Sequence, residues 1–239
     1  MIILDKSINM PYEEWHNEIE QEGTAVLINK PKGWTSFDAV AKIRKLVQHK
    51  KIGHCGTLDP CATGLLIICI GRKATRKILS FQGLQKQYIA TLKLGAVTKS
   101  FDTETEEENL CSIDHLDIDI IKKTINSFVG QIKQIPPMFS AKKVKGKRMY
   151  DLARKNREIN LEPADVNIYN IEILDINLPF VKILIDCSKG TYIRALARDI
   201  GLSLGVGAYL TDLERTKIGD FLLENALSID DFMLYKNNN

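Results

Sequence analysis

The sequence has no run of about 20 consecutive apolar residues, the length that a helix needs to cross a bilayer. Its first residues, Met1-Ile-Ile-Leu-Asp, do not combine a basic segment with a long apolar one, so no secretion signal is expected. None of the five cysteines forms a C-x-x-C pair and the four histidines are scattered, which excludes the usual zinc-binding patterns. An odd number of cysteines is typical of free thiols in a reducing compartment. We therefore expect a cytoplasmic protein without a membrane segment or a bound metal.

A large excess of charge is also missing. The 239 residues carry a formal net charge of +3, and their hydrophobic and charged contents of 44% and 26% are usual for a globular protein. This length allows one large domain with a well-formed core. So small a charge does not identify a nucleic-acid-binding protein, for which the clustering of lysine and arginine matters more.

Strands and helices are predicted in an irregular order. Short apolar runs predict strands at 24–28, 65–70, 88–94, 166–176 and 181–187, and helical spacing predicts helices after Thr35, after Gly71, and at 118–128, 148–155 and 193–204. Thr35 and Ser36 are candidate N-caps, and Asp38 completes an approximate capping box with Thr35. The acidic segment 104–108 is predicted to be a solvated loop. Without a regular βαβ alternation, an α+β fold is expected, with a mixed, largely antiparallel sheet flanked by helices.

One glycine-rich loop holds the candidate for catalysis. Gly53, Gly56 and Gly64 allow unusual backbone conformations there, and Pro60 pushes the preceding residue, Asp59, toward an extended conformation. Spacing alone favours a structural role, in which Asp59 initiates a turn. A catalytic carboxylate on a loop held by a rigid scaffold is the alternative. A catalytic pair of His54 and Cys55 is disfavoured, because adjacent residues of an extended chain point to opposite faces.

Six segments, spread over residues 23–230, are informative together. They are Asn29-Lys-Pro-Lys-Gly-Trp-Thr-Ser36, Gly53-His-Cys-Gly-Thr-Leu-Asp-Pro-Cys-Ala-Thr-Gly-Leu-Leu66, Lys86-Gln-Tyr88, Pro136-Pro-Met-Phe-Ser-Ala-Lys142 with 146–154, Cys187-Ser-Lys-Gly-Thr-Tyr-Ile-Arg194, and Leu213-Glu-Arg-Thr-Lys-Ile-Gly219. In this order they resemble the motifs of the TruB family of pseudouridine synthases. The resemblance implies the catalytic fold of that family over residues 23–235, with an N-terminal extension at 1–22 and a frayed tail at 236–239. The extension is expected to lie on the surface or to pair at a sheet edge.

The resemblance also implies the reaction. The family isomerises uridine to pseudouridine at position 55 in the T-loop of tRNA, and Asp59 stands at the position of its catalytic aspartate. The base has to be flipped out of its stack before a side chain reaches it. The family uses no cofactor or metal. The sequence leaves open whether Asp59 attacks C1′ of the ribose or C6 of the base.

Further residues of the uridine site follow from the same resemblance. Tyr88 matches the tyrosine that stacks on the base, His54 the histidine that fills the space left by the flipped nucleotide, and Tyr192 and Leu213 the walls of the pocket. Arg194 is expected to pair with the carboxylate of Asp59 and, if residues 191–194 are extended, to point the same way as Tyr192. Asp102 falls where the family has an aspartate near the site. Spacing alone allows ordinary structural roles for all of these residues.

The RNA partner is expected to be held by a basic run. Lys142, Lys143, Lys145, Lys147 and Arg148 form the densest cluster of positive charge and are predicted to contact tRNA phosphates in the T-loop and stem, although an ordinary solvated surface is the alternative. Many family members continue into a C-terminal PUA domain, whereas this sequence ends soon after the last motif. A monomer is expected, with weaker and salt-dependent affinity for tRNA.

The sequence fits three other functions less well. An RNA-binding module without catalysis would use the same basic surface but would not need the trio of Asp59, Tyr88 and Arg194. A glycoside hydrolase normally needs two facing carboxylates, and no second acid lies in a comparable loop. The glycines at 201, 205 and 207 do not indicate a dinucleotide site, because they follow a helix rather than a strand.

Overall fold

The computed structural model describes residues 1–138 and 161–237 and, between these ranges, only the backbone of Lys143–Val144 and Lys147–Arg148. The helices are α1 (Tyr12–Gln21), α2 (Ser36–Val47), α3 (Arg72–Thr75), α4 (Ile78–Gly83), α5 (Ile118–Asn126), α6 (Ile193–Ser203) and α7 (Ile229–Asn237), with a 3₁₀ turn at Leu223–Asn225. The strands are β1 (Ile3–Leu4), β2 (Thr24–Lys30), β3 (Ile52–His54), β4 (Thr63–Ile70), β5 (Lys86–Leu94), β6 (Val97–Thr98), β7 (Glu107–Glu108), β8 (Gly130–Gln134), β9 (Lys143–Val144), β10 (Lys147–Arg148), β11 (Ala164–Asn177), β12 (Phe180–Cys187), β13 (Ala208–Ile218) and β14 (Phe221–Leu222). None of the described helices has the length and apolar character needed to cross a membrane.

The chain divides into two compact units. The first consists of Met1–Gln87 and Glu214–Asn239, and the second of Tyr88–Leu213. In the first unit the strands follow the order β1, β2, β4 and the second half of β13, with β3 beside β4 and β14 beside β13. The β1–β2 and β4–β13 pairs are parallel, and the β2–β4, β3–β4 and β13–β14 pairs are antiparallel.

The central strands of the first unit are buried on both faces. Along β2 and β4, alternate residues belong to two separate hydrophobic clusters, since successive side chains of a strand point to opposite faces. Val26 and Leu66 pack on the face covered by α1, α2 and α7, while Leu27 and Leu65 pack on the other. This double burial explains why residues 65–70 of β4 are continuously apolar instead of alternating.

The N-terminal segment contributes both to a sheet edge and to the core. Ile3 and Leu4 pair in parallel with β2, which agrees with the expected edge pairing. Helix α1 was not predicted, although Tyr12, Trp15 and Ile19 recur at helical spacing and are buried. Trp15 is 0% exposed and its ring meets that of Phe232 edge-on, with the ring centroids 5.9 Å apart. The segment is therefore a structural part of the first unit.

The second unit is largely antiparallel. Its strands follow the order β13 (first half), β5, β12, β11 and β8, and the pairs of β11 with β12 and with β8 are antiparallel. Helices α5 and α6 belong to the same unit. Together with the mixed sheet of the first unit, this arrangement confirms the α+β class, and the observed strands β2, β4, β5, β11 and β12 match the predicted ones within three residues at either end.

Two local predictions need correction. The acidic segment is not entirely a loop, because Glu107–Glu108 pair with Val97–Thr98 as strands β7 and β6. The carboxylate of Glu107 accepts hydrogen bonds from the Lys93 ammonium, at 2.6 Å, and from the Tyr209 hydroxyl. Arg148 belongs to strand β10 and does not begin a helix, and the other residues of the helix predicted at 148–155 lie outside the described residues.

Candidate active site

Asp59 lies in the loop 55–62, which connects the antiparallel strands β3 and β4. The backbone N–H of Cys55 donates to the carbonyl of Ile67 at 2.9 Å and extends the β3–β4 pairing into the loop. Within the loop, the N–H of Ala62 donates to the carbonyl of Asp59 at 3.1 Å, closing a turn around Pro60. The Asp59 side chain is half-buried. The loop is thus a compact hairpin connection that presents a carboxylate at a defined position.

The start of helix α2 holds the residues on both sides of Asp59. Thr35 caps this helix through the predicted capping box with Asp38. The hydroxyl of Ser36 accepts a hydrogen bond from the N–H of Leu58 at 2.8 Å and donates one to its carbonyl at 3.1 Å. The N–H of Gly33 donates to the carbonyl of Pro60 at 2.8 Å. The structure therefore brings the segments 29–36 and 53–66, which the sequence suggested separately, into one site.

Lys30 is a buried cation beside this loop. It is 0% exposed, and its ammonium donates hydrogen bonds to the carbonyls of Pro31, at 2.9 Å, and Trp34, at 2.6 Å. Burial lowers the pKa of Lys30 to about 8, although the negative charges of Cys61 and Asp59 act in the opposite direction. Lys30 is consequently close enough to interact electrostatically with Asp59, a role that the motif alone did not specify.

Arg215 is a second buried cation at the loop. It lies on β13, is 1% exposed, and donates from Nε to the carbonyl of Leu65 at 2.8 Å and from Nη2 to the carbonyl of Gly56 at 3.1 Å. Sequence reasoning missed this residue. The last motif contained it, but only Leu213 of that motif was considered for the site.

His54 is the last residue of β3 and lies directly before the loop. Burial lowers the pKa of its imidazole, and the positive charge of Arg215 lowers it further, while a hydrogen bond with the backbone of Gly56 opposes the shift. The imidazole is therefore neutral at physiological pH. A neutral ring suits a residue that packs against other groups better than one that binds a phosphate.

In the second unit, Arg194 forms a buried ion pair with Asp102. The two side chains are 4% and 2% exposed, and the Nη1 of Arg194 lies 3.2 Å from Oδ2 of Asp102. The same nitrogen donates to the carbonyl of Ser100 at 3.1 Å, while the Oδ1 of Asp102 accepts from the N–H of Glu104 at 2.9 Å. The aspartate that the resemblance placed near the site thus orients a predicted site residue directly.

Tyr192 precedes helix α6 as its N-cap and is held through its backbone. Its N–H donates to Oε1 of Gln134 at 2.8 Å, and Nε2 of Gln134 donates to its carbonyl at 3.1 Å. Arg194 is the second residue of this helix, so it does not continue an extended segment from Tyr192. The argument that alternation points both side chains the same way is therefore wrong. Tyr88 on β5 and Leu213 on β13 are both buried residues of the second unit.

Models of known protein families match most of the chain, from residue 44 to residue 238. The N-terminal domain of the TruB family of pseudouridylate synthases matches residues 44–193, and the C-terminal domain of tRNA pseudouridylate synthase B matches residues 194–238. The chain belongs to the TruB family. It is accordingly an enzyme, an isomerase of the pseudouridylate synthase class.

Individual relatives agree with the family models. The chain is 51% identical over 218 residues to the tRNA pseudouridine synthase B of Phocaeicola vulgatus, covering 89% of this chain and 92% of the relative. It is 50% identical over 208 residues to the protein of the same name from Clostridium tetani, covering 85% of this chain and 70% of the relative.

Solved structures show the same fold. An H/ACA RNP bound to a substrate RNA containing 2′-deoxyuridine matches with a TM-score of 0.68 and 27% identity, over 93% of this chain and 57% of that chain. A Cbf5-Nop10-Gar1 complex matches with a TM-score of 0.70 and 26% identity, over 93% and 58%. The chain therefore spans a little more than half the length of these structural neighbours. The likeness supports the pseudouridine-synthase fold expected from the sequence.

The predicted site residues of this TruB protein are distributed over both units. His54 and Asp59 belong to the first unit, and Tyr88, Tyr192, Arg194 and Leu213 to the second. The pairing of Arg194 with Asp59 stays a prediction. In the basic run, Lys142 and Lys145 lie outside the described residues, and Lys143, Lys147 and Arg148 are described only as backbone in the antiparallel pair β9–β10. Across the described ranges no cluster of three or more His, Cys, Asp or Glu side chains is arranged to bind a metal.

Proposed function

We propose that this TruB protein converts uridine to pseudouridine at position 55 in the T-loop of tRNA and that Asp59 is its nucleophile. The observation that supports this assignment best is the attachment of the loop on both sides of Asp59. Leu58 is hydrogen-bonded to Ser36 at the start of α2, and Pro60 to Gly33 just before that helix. Such support keeps a carboxylate in place before substrate binds, which lowers the entropic cost of the reaction.

The isomerisation is balanced without any external reagent. The N1–C1′ bond breaks, a C5–C1′ bond forms, the hydrogen on C5 leaves as a proton, and N1 takes up a proton. Covalent attack by the Asp59 carboxylate divides this change into two steps, with the base free to turn between them. Because the reaction is redox-neutral, the proposal includes no cofactor. The base has to be flipped out of the RNA stack to reach the carboxylate.

The charges around Asp59 favour the ionised form that a nucleophile needs. Lys30 interacts with Asp59 electrostatically, and with a pKa of about 8 it is mostly protonated at neutral pH. A cation held in a buried position acts more strongly than one in water, because little solvent screens it. Lys30 thus stabilises the carboxylate of Asp59, while its own hydrogen bonds to Pro31 and Trp34 keep it from moving.

The other predicted residues are proposed to bind the uridine. A tyrosine at position 88 offers an aromatic face for stacking, worth about 1–3 kcal/mol per base. Tyr192 and Leu213 are proposed as pocket walls, His54 as the neutral group that occupies the space of the flipped nucleotide, and Arg194 as a cation held in orientation by Asp102. The ion pair of Arg194 and Asp102 is buried, so its geometry is set before substrate arrives.

The proposed partner is tRNA, bound through the T-loop and stem. Relatives of high identity carry the name tRNA pseudouridine synthase B, and one structural neighbour contains a bound substrate RNA. Lys142, Lys143, Lys145, Lys147 and Arg148 are proposed to contact its phosphates. The protein is proposed to act as a cytoplasmic monomer.

The test uses an unmodified tRNA transcript labelled with tritium at uridine C5, from which pseudouridine formation releases tritium into water. The variant Asp59→Asn is compared with the wild type and with Asp220→Asn, which removes an exposed carboxylate of the same unit. A second transcript has cytidine in place of uridine 55. We expect release by the wild type and by Asp220→Asn, and none by Asp59→Asn.

Binding of the transcript, measured in parallel, separates the possible outcomes. Loss of release in Asp59→Asn with unchanged binding supports the nucleophile, and loss of release with the cytidine transcript supports position 55. Release by Asp59→Asn at the wild-type rate would exclude Asp59. A folded wild type that binds the transcript without releasing tritium would favour the RNA-binding module instead.

A further inference from the structure

Arg215 is a buried cation whose hydrogen bonds go to the two ends of the loop that carries Asp59. The carbonyl of Gly56 lies just after β3, and the carbonyl of Leu65 lies near the start of β4. The guanidinium donates to the first from Nη2, at 3.1 Å, and to the second from Nε, at 2.8 Å. A rigid, planar fork is suited to holding two acceptors at a fixed separation. One side chain therefore fixes the distance between the stems of the loop.

The backbone around Arg215 places this fork at the loop. Glu214 and Arg215 pair in parallel with Thr63 and Gly64, the first two residues of β4 after the loop. Gly64 has a φ of +103°, and a Cβ on it would lie 2.4 Å from the carbonyl oxygen of Arg215. The two backbones consequently approach more closely than any other residue at position 64 allows. This approach holds Arg215 beside the start of β4, and from there its side chain reaches the carbonyls of Gly56 and Leu65.

Burial of this cation indicates more than a role in packing. Placing a guanidinium at 1% exposure is costly, and an apolar side chain would fill the same space in a strand without that cost. The positive charge also acts on the neighbouring groups, since it lowers the pKa of His54 and that of Lys30. Arg215 is thus hydrogen-bonded to the loop, and its charge acts on His54 and Lys30.

We propose that Arg215 is a positioning residue for Asp59: its guanidinium clamps the two stems of the loop 55–62 and holds the carboxylate in the reactive position without touching the uridine. This inference rests on the proposed function of Asp59. A displacement of a reacting group by about 1 Å costs on the order of 100-fold in rate, so a flexible loop stem is expected to slow the chemical step. Binding of tRNA does not depend on this side chain.

The experiment measures the single-turnover rate of tritium release with enzyme in excess over tRNA, together with the tRNA Kd and the melting temperature. Arg215→Met removes the fork and the charge, whereas Arg215→Lys keeps the charge and loses the two-acceptor geometry. Arg72→Met removes an exposed arginine of the same unit as a control. We expect the rate to fall about 100-fold in Arg215→Met. A loss of about tenfold is expected in Arg215→Lys, with wild-type Kd values in both variants.

A second readout separates positioning from general stability. The titration of the His54 ring, followed by NMR, is expected to move to higher pH in Arg215→Met and to stay in place in Arg215→Lys, because only the first variant removes the charge. Rate losses that persist at temperatures well below the melting point of each variant support the proposal. Rate losses that disappear once the variants are fully folded overturn it.

The remaining outcomes are also decisive. If Arg215→Met does not fold, Arg215→Lys carries the test, and a wild-type rate in the folded lysine variant overturns the proposal. The Asp59→Asn variant is assayed in the same experiment, so that a failure of the proposal for Arg215 can be distinguished from a failure of the proposed function. Wild-type activity of Arg215→Met combined with an inactive Asp59→Asn refutes the role of Arg215 alone, whereas an active Asp59→Asn refutes the proposed function and, with it, this inference.

Discussion

Gly64 offers a sharp test of the packing around the Asp59 loop. In the register of the sheet it lies between Lys30 on β2 and Arg215 on β13. An alanine at this position meets two separate difficulties. The φ of +103° is unfavourable for any L-residue, and the new methyl group would lie 2.4 Å from the carbonyl oxygen and 2.7 Å from the nitrogen of Arg215. Both neighbouring atoms are backbone, so they cannot rotate away.

The size of each effect can be estimated separately. A residue other than glycine in a strained backbone conformation costs about 1–3 kcal/mol. Forcing an extra methyl group into a packed site costs about 1–3 kcal/mol more, here because β4 and β13 must separate. Gly33→Ala is a matched control, since Gly33 has a φ of +83° and its new Cβ would have no atom within 4 Å. We therefore expect Gly64→Ala to lower the free energy of unfolding by about 4 kcal/mol and Gly33→Ala by about half as much.

Tryptophan fluorescence during urea unfolding is a suitable assay. The protein has two tryptophans, and both, Trp15 and Trp34, lie in the first unit, which also contains Gly33 and Gly64. The signal therefore reports on the unit that the substitutions affect. Equal losses of stability in the two variants would refute the reasoning, because the close approach of β4 and β13 at Gly64 would then contribute nothing.

Three further predictions concern the core, the buried lysine and the RNA. Phe232→Ala is expected to destabilise the first unit by about 3–5 kcal/mol in the same assay, and Leu234→Ala, whose side chain is 56% exposed, by less than about 0.5 kcal/mol. Because the pKa of Lys30 is lowered from 10.5 to about 8, the unfolded chain binds more protons between these values, and the wild type should gain stability with rising pH in that window. Lys30→Met should lack this gain, and parallel stability curves for the two proteins would contradict it. Replacing all five residues of the basic run by glutamine should reduce the slope of log Kd against log salt concentration by about 4, as measured by filter binding of tRNA, and an unchanged slope would exclude these residues from phosphate contact.

Features that depend on neighbouring residues could be predicted from the sequence. The capping box of Thr35 and Asp38 was predictable because it joins residues only three positions apart, and the observed hydrogen bonds confirm it. The strand at 65–70 was predictable because a continuous apolar run is typical of a strand buried on both faces, and strand β4 confirms it. Helix α1 was missed, since only three of its residues are buried and Pro11 precedes it, yet the spacing of those three was a usable signal. The two-residue strand β7 consists of glutamates, which strand propensity does not favour.

The candidate site was harder to predict, because it depends on contacts between residues that are far apart in the sequence. The catalytic role predicted for Asp59 depends on the family resemblance, since Asp-Pro in a glycine-rich loop is more often a turn. Arg215 acts on carbonyl groups up to 159 residues away, and no local pattern marks a residue whose role depends on the parallel pairing of β4 with β13. The ion pair of Asp102 and Arg194 is likewise a product of the tertiary structure.

The two-segment composition of the first unit has a consequence for protein synthesis. On the ribosome, residues 88–213 emerge before Glu214–Asn239. The loop at 55–62 emerges earlier still, and it lacks the hydrogen bond from Arg215 to Gly56 until Glu214–Asn239 follows. Phe232, which packs against Trp15, and Arg215, which donates a hydrogen bond to the carbonyl of Gly56, both lie in Glu214–Asn239. Because domains generally fold as units during translation, a nascent chain that has reached residue 213 is expected to contain a folded second unit and an unfinished first one. The proposed nucleophile, Asp59, would thus be held by its full set of contacts only after Glu214–Asn239 has emerged.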